Sequence, residues 1–172
     1  DVGSSFNVTG EFINTATGTL DASKVENTEV SGTLTNAGQA LYKDMTIHAG
    51  GNSINSGYEK GEWLKIEEEG SHSNSGTSIW NKLNIAGSFN NEKGGSLDAA
   101  KVENTEVTGS LTNNGVANYD DMTIKDGGVS DNKVYEKGDI KTVGEGGTHK
   151  NSGISIWNEI TIDGGDFENT GK

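Results

Sequence analysis

The residues best equipped for chemistry are two histidines in matching surroundings, His72 in "GSHSNSG" and His149 in "GTHKNSG". Imidazole titrates near neutrality, so either could act as a general base or a metal ligand. Zinc needs further nitrogen, sulfur or carboxylate ligands on the same face. The positions that would flank His72 supply Ser53, Phe89 and Asn74, and the chain has no cysteine. The expected role is therefore a hydrogen-bonded interior histidine, with pH sensitivity of its surroundings as a consequence.

Carboxylates are the second candidate group. Glu67-Glu68-Glu69, Asp120-Asp121 and the pair Asp163 and Asp166 could attract calcium, which takes carboxylate and carbonyl oxygens. There is no EF-hand loop and no Gly-Gly-x-Gly-x-Asp series, so a solvated acidic face is expected and no metal or cofactor is assigned. Glycoside hydrolysis needs two carboxylates at a fixed separation in a groove, which adjacency in a chain with 26 acidic residues does not establish. The thirteen basic residues are all lysine, so the bidentate guanidinium that clamps acidic sugars is missing.

Aromatic residues recur as well. Trp80 pairs with Trp157, Tyr42 with Tyr119 and Tyr58 with Tyr135, while Trp63 is matched by Ile140. Ile79 and Trp80 are neighbours on one strand, so one of them faces outward. If that is Trp80, then Trp80, Trp157, Tyr58 and Tyr135 are candidate ligand-contact residues for stacking on sugar rings. Otherwise they cover a corner of the fold. An ice-binding face fails, because Thr33 and Thr35 are matched elsewhere by Glu11 and Ile13, Asn52 and Ile54, or Ser71 and Ser73.

The elements that must position these residues are repeats. "LDASKVENTEVSGTLTN" (Leu20 to Asn36) returns as "LDAAKVENTEVTGSLTN" (Leu97 to Asn113), and the same 77-residue shift carries "DMTI", "YEKG" and "NSGTSIWN" onto their copies. A finer pattern, Gly-x-(Phe, Leu, Ser or His)-x-Asn, occurs nine times, its glycines 17 to 22 residues apart. That spacing matches one coil of a solenoid. Within a coil the period is two, as in Leu83, Ile85, Gly87, Phe89 and Asn91, which marks strands with one face inward.

The chain is thus expected to be all-β, a single-stranded right-handed parallel β-helix of about nine coils, one continuous solenoid over 1–172. Its internal repeats run approximately 8–84 and 85–161, with the start of a third at 162–172. Asn14, Asn36, Asn55, Asn74, Asn91, Asn113, Asn132, Asn151 and Asn169 should stack as a structural ladder from coil to coil. The two 22-residue coils need their extra residues as an outward loop or a helical turn.

Composition limits the partners. Hydrophobic residues are 30 % of the chain and the mean hydropathy is -0.64, lean for a globular core. A net charge of -13 argues against nucleic acid, which needs a clustered basic face, and against an anionic membrane surface. No apolar run is long enough to cross a bilayer, and "DVGSS" is not a signal sequence.

Coils such as "GTLTNAG", "GSFNN" and "GSLTNNG" resemble the repetitive β-solenoid stems of bacterial surface proteins, the autotransporter passengers and filamentous-haemagglutinin-type adhesins. The resemblance implies secretion across the envelope, an extracellular stalk and adhesion or biofilm contacts. It carries over no site residue. No enzyme is expected, because an active site usually breaks a repeat once and both copies here are nearly alike. The expected function is a non-catalytic adhesin stalk, a fragment of a longer array, whose partner is a host or neighbouring-cell surface, glycan or protein. The alternatives are a fibre subunit that stacks end to end through its uncapped coils, and a carbohydrate-binding solenoid using the repeated aromatics.

Overall fold

The computed structural model describes residues 4–101 and 104–172. Val102 and Glu103, inside the second "LDAAKVENTEV", and the first three residues lie outside the described set. The described residues form two parallel sheets and no helix.

The first sheet has nine four-residue strands, from Glu11–Asn14 to Asp166–Asn169. Each pairs in parallel and in register with the strand one coil along, so that Phe12 lies beside Leu34, Ser53 beside His72, and His149 beside Phe167. These are the central positions of the nine-fold sequence pattern. Each coil therefore cannot close a core alone and gains its backbone hydrogen bonds from the coils on either side, about 4.8 Å away.

The second sheet has eleven strands, several of them nine to twelve residues long, such as Gln39–Ile47 and Tyr58–Ile66. Their alternation breaks once. Ala40 and Tyr42 are buried, then Lys43 and Asp44 both point away from the core, and Met45 and Ile47 are buried again. Two successive outward residues mark a corner, since an unbent strand alternates strictly. The sheet is thus folded into two faces, and each full coil has three sides.

The 22-residue coil handles its extra residues within strand Thr19–Val30. Pairing with the next coil shifts register between Ala22 and Asn27, a bulge at the same corner. No helical turn forms there. The equivalent place in the second repeat contains the two residues outside the described set.

Inside, like stacks on like. Val8, Val30, Ile47, Ile66, Ile85, Val107, Ile124, Val143 and Ile162 form one continuous column of β-branched side chains. A second column alternates large and small: Ala22, Tyr42, Gly61, Trp80, then Ala99, Tyr119, Gly138, Trp157. The reason is visible at Gly61, where a Cβ would stand 2.2 Å from Cζ3 of Trp80. Glycine lets the indole lie across that coil and stack on Tyr42, ring centroids 5.9 Å apart. Gly138 does the same under Trp157, which stacks on Tyr119 at 6.0 Å.

Candidate functional site: a buried polar cluster repeated once

His72 and His149 both point inward and are sealed from solvent, 1 % and 0 % exposed. Each meets a glutamate from the adjoining face. Glu59 lies in register beside Ser78, and Ser78 Oγ donates to Glu59 Oε1 at 2.6 Å. Trp80 Nε1 donates to Ser78 Oγ at 2.9 Å. His72 Nε2 stands 2.9 Å from the same carboxylate oxygen, off the line of a well-aligned hydrogen bond, and its ring packs at 4.8 Å on Phe89. Serine, histidine and glutamate resemble the parts of a hydrolytic triad, yet here the glutamate bridges the other two. Ser78 is fully buried, so no substrate reaches its hydroxyl.

The second repeat keeps Glu136, His149, Ser155 and Trp157 and adds a cation. Lys141 stands in the slot that Leu64 fills in the first repeat, 0 % exposed. Its Nζ lies 2.6 Å from Glu136 Oε1, 3.0 Å from His149 Nε2 and 4.3 Å above the Trp157 ring. Ser155 Oγ donates to Glu136 at 2.6 Å and His149 Nε2 lies 3.2 Å away.

Burial pushes the Lys141 ammonium down to about 8, against the attraction of Glu136. Burial would raise Glu136, but His149 and Lys141 outweigh it and hold the carboxyl at about 2. His149 is lowered, chiefly by burial, despite its contact with Glu136. Tyr42 and Tyr119 hydroxyls have no hydrogen-bond partner, and burial with a nearby glutamate raises both.

The asparagine ladder runs unbroken. Asn14 Nδ2 donates to Asn36 Oδ1 at 2.8 Å, and the same bond repeats through Asn55, Asn74, Asn91, Asn113, Asn132 and Asn151 to Asn169 at 2.7–2.9 Å. Most also donate to a carbonyl across the turn, as Asn74 does to Ser96 O at 3.1 Å. Both amide hydrogens are thereby used.

The structure decides between the two orientations left open for Ile79 and Trp80. Trp80 faces inward, fully buried, and Ile79 takes the outward place, because the emptied position at Gly61 receives the indole. Trp157 also lies inside its coil, half-buried, so neither tryptophan belongs to a surface row. Tyr58 and Tyr135 are half-buried on outward positions. Among the acids, Asp120, Asp121 and Asp139 bring carboxylate oxygens within 4.8 Å of one another, and Asn158 donates to Asp139 at 2.7 Å. Glu67 is instead engaged by Lys65 at 2.8 Å and by His48 at 2.9 Å. His48 also contacts Glu29, so one imidazole bridges carboxylates from the coils before and after it.

Sequence reasoning passed over Glu59, Glu136 and Lys141. The signal for the glutamates was the column Ala40, Glu59, Ser78, Leu97, whose other members are plainly interior. For Lys141 it was the one-for-one replacement of Leu64. No protein family, curated protein or solved structure matches the chain.

Proposed function

We propose that this β-solenoid is a non-catalytic, extracellular segment of a bacterial surface adhesin that works as a rigid spacer. The observation that carries the reading is the unbroken asparagine ladder beside side-chain columns that run through the coils, an interior devoted to holding length and shape. Nine coils at about 4.8 Å span roughly 40 Å. The partner in this reading is a glycan or protein on a host or neighbouring cell. The test is display of residues 1–172 on a non-adherent bacterium, followed by counting cells retained on glycan- and protein-coated surfaces. Retention above the undecorated strain supports the adhesive role, and retention equal to it refutes that role.

A further inference from the structure

The two repeats differ most usefully at one exterior corner. In the first, Lys43, Trp63, Lys65 and Lys82 occupy places that hold Asp120, Ile140, Thr142 and Glu159 in the second. Lys43, Trp63 and Lys65 line an open hollow of about 420 Å³, together with Glu26, Asn27, Asp44, Met45 and Thr46. The bulge between Ala22 and Asn27 carries Glu26 to its rim. That volume falls in the ligand-pocket range of roughly 300–1,000 Å³.

We infer that this hollow is a glycan subsite that seats one neutral pyranose ring against Trp63. Trp63 is 36 % exposed in a chain whose other described tryptophans lie inside the coils. Lys82 Nζ lies 5.1 Å from its ring centroid without lining the hollow, which orients the indole while leaving its border on the hollow for a ligand. An aromatic edge in a polar hollow suits the mixed surface of a sugar, apolar C–H on one face and hydroxyls around it.

The charge balance selects the class. The lining carries Lys43 and Lys65 against Glu26 and Asp44, and Lys65 is itself held by Glu67 at 2.8 Å, so no free cationic cluster draws a polyanion to a molecule of net charge -13. The adjoining donors and acceptors match the hydroxyls of a neutral ligand. Thr46 and Asn27 are tied to each other at 3.1 Å, which pre-orients the polar wall. Lys43, Trp63 and Lys65 are side chains that the second repeat replaces with Asp120, Ile140 and Thr142, so this lining is a local departure from the duplicated pattern.

The proposal deepens the adhesive reading by naming a contact, and rests on it only for its cellular setting. Its test is therefore made in solution. Native gels containing soluble β-glucan, mannan or, as the acidic arm, polygalacturonate are run with the parent and with Trp63→Ile, which installs the residue of the second repeat. Retardation by a neutral glycan that falls at least tenfold in Trp63→Ile is expected. Equal retardation of parent and Trp63→Ile, retardation by polygalacturonate alone, or none by either neutral glycan overturns the proposal. None of these outcomes bears on retention of displayed cells by a protein-coated surface, so the broader reading can survive them.

Discussion

Lys141 should be dispensable, although it is fully buried and ion-paired, because the first repeat shows what replaces it. Removing one member of a buried pair ordinarily costs about 3–5 kcal/mol, since the other charge is stranded. In Lys141→Leu, Glu136 keeps Ser155 and His149, the partners that Glu59 has beside Leu64. The expected change at pH 7 is within about 1 kcal/mol of the parent. Glu136→Gln strands the ammonium instead, and should cost the full 3–5 kcal/mol or so.

The pH dependence separates the cases further. Lys141 has a folded pKa of about 8 against 10.5 for an unperturbed lysine, so between these values the unfolded chain binds more protons and stability rises with pH. From pH 8 to 10 the gain is about 2 kcal/mol at 1.36 kcal/mol per unit, the slope starting at half its full value because folded Lys141 is half-protonated at pH 8. Above pH 10 the raised Tyr42 and Tyr119 act the other way, since the unfolded chain then loses phenolic protons that the folded one keeps. Urea unfolding followed by circular dichroism at pH 7, 8.5 and 10 measures this. Parent minus Lys141→Leu should become more favourable to the parent as pH rises. A flat difference, or a Lys141→Leu loss at pH 7 equal to that of Glu136→Gln, would refute the reasoning.

Gly61→Ala should cost about 3 kcal/mol or more, since its Cβ meets the buried Trp80 ring, whereas Gly10→Ala, with open space around it, should shift the urea midpoint little. Glu69 adopts a φ of 62°, a left-handed conformation that its counterpart Gly146 adopts freely, so Glu69→Gly should stabilise by up to about 1 kcal/mol in the same assay. His48 has its pKa raised by hydrogen bonds to Glu67 and Glu29, with Lys65 also facing Glu67. Its contribution is full below the unfolded value of 6.5 and is lost as pH rises through the folded one. Being more than a third exposed, it is worth at most about 1 kcal/mol after screening. The melting temperature of His48→Gln should therefore fall below the parent's at pH 5.5 and match it at pH 8.5; a gap that persists at pH 8.5 counts against the bridge.

Much of the fold was legible because its signals are local and repeated. A glycine, an inward residue and an asparagine at fixed offsets, nine times over, leave one arrangement in which the asparagines meet, and they do meet at hydrogen-bond distance. The orientation of Trp80 was not legible. Alternation along Thr77–Ile85 holds only within each face and breaks at the corner, where Asn81 and Lys82 follow one another outward. The side on which Trp80 falls depends on Gly61, nineteen positions earlier, leaving room for it.

What the amino-acid order alone determined was the stacking: coil length, register, the asparagine ladder and the inward histidines. Each follows from periodicity, which acts between neighbours along the chain or between equivalent residues of adjacent coils. What only the tertiary structure decided was the content of the space between the three sides. Glu59 with His72, Glu136 with Lys141 and His149, and the hollow beside Trp63 each join residues from different sides or from bulged and unbulged coils. Their meeting depends on where the corner falls, and no period within a single strand records that.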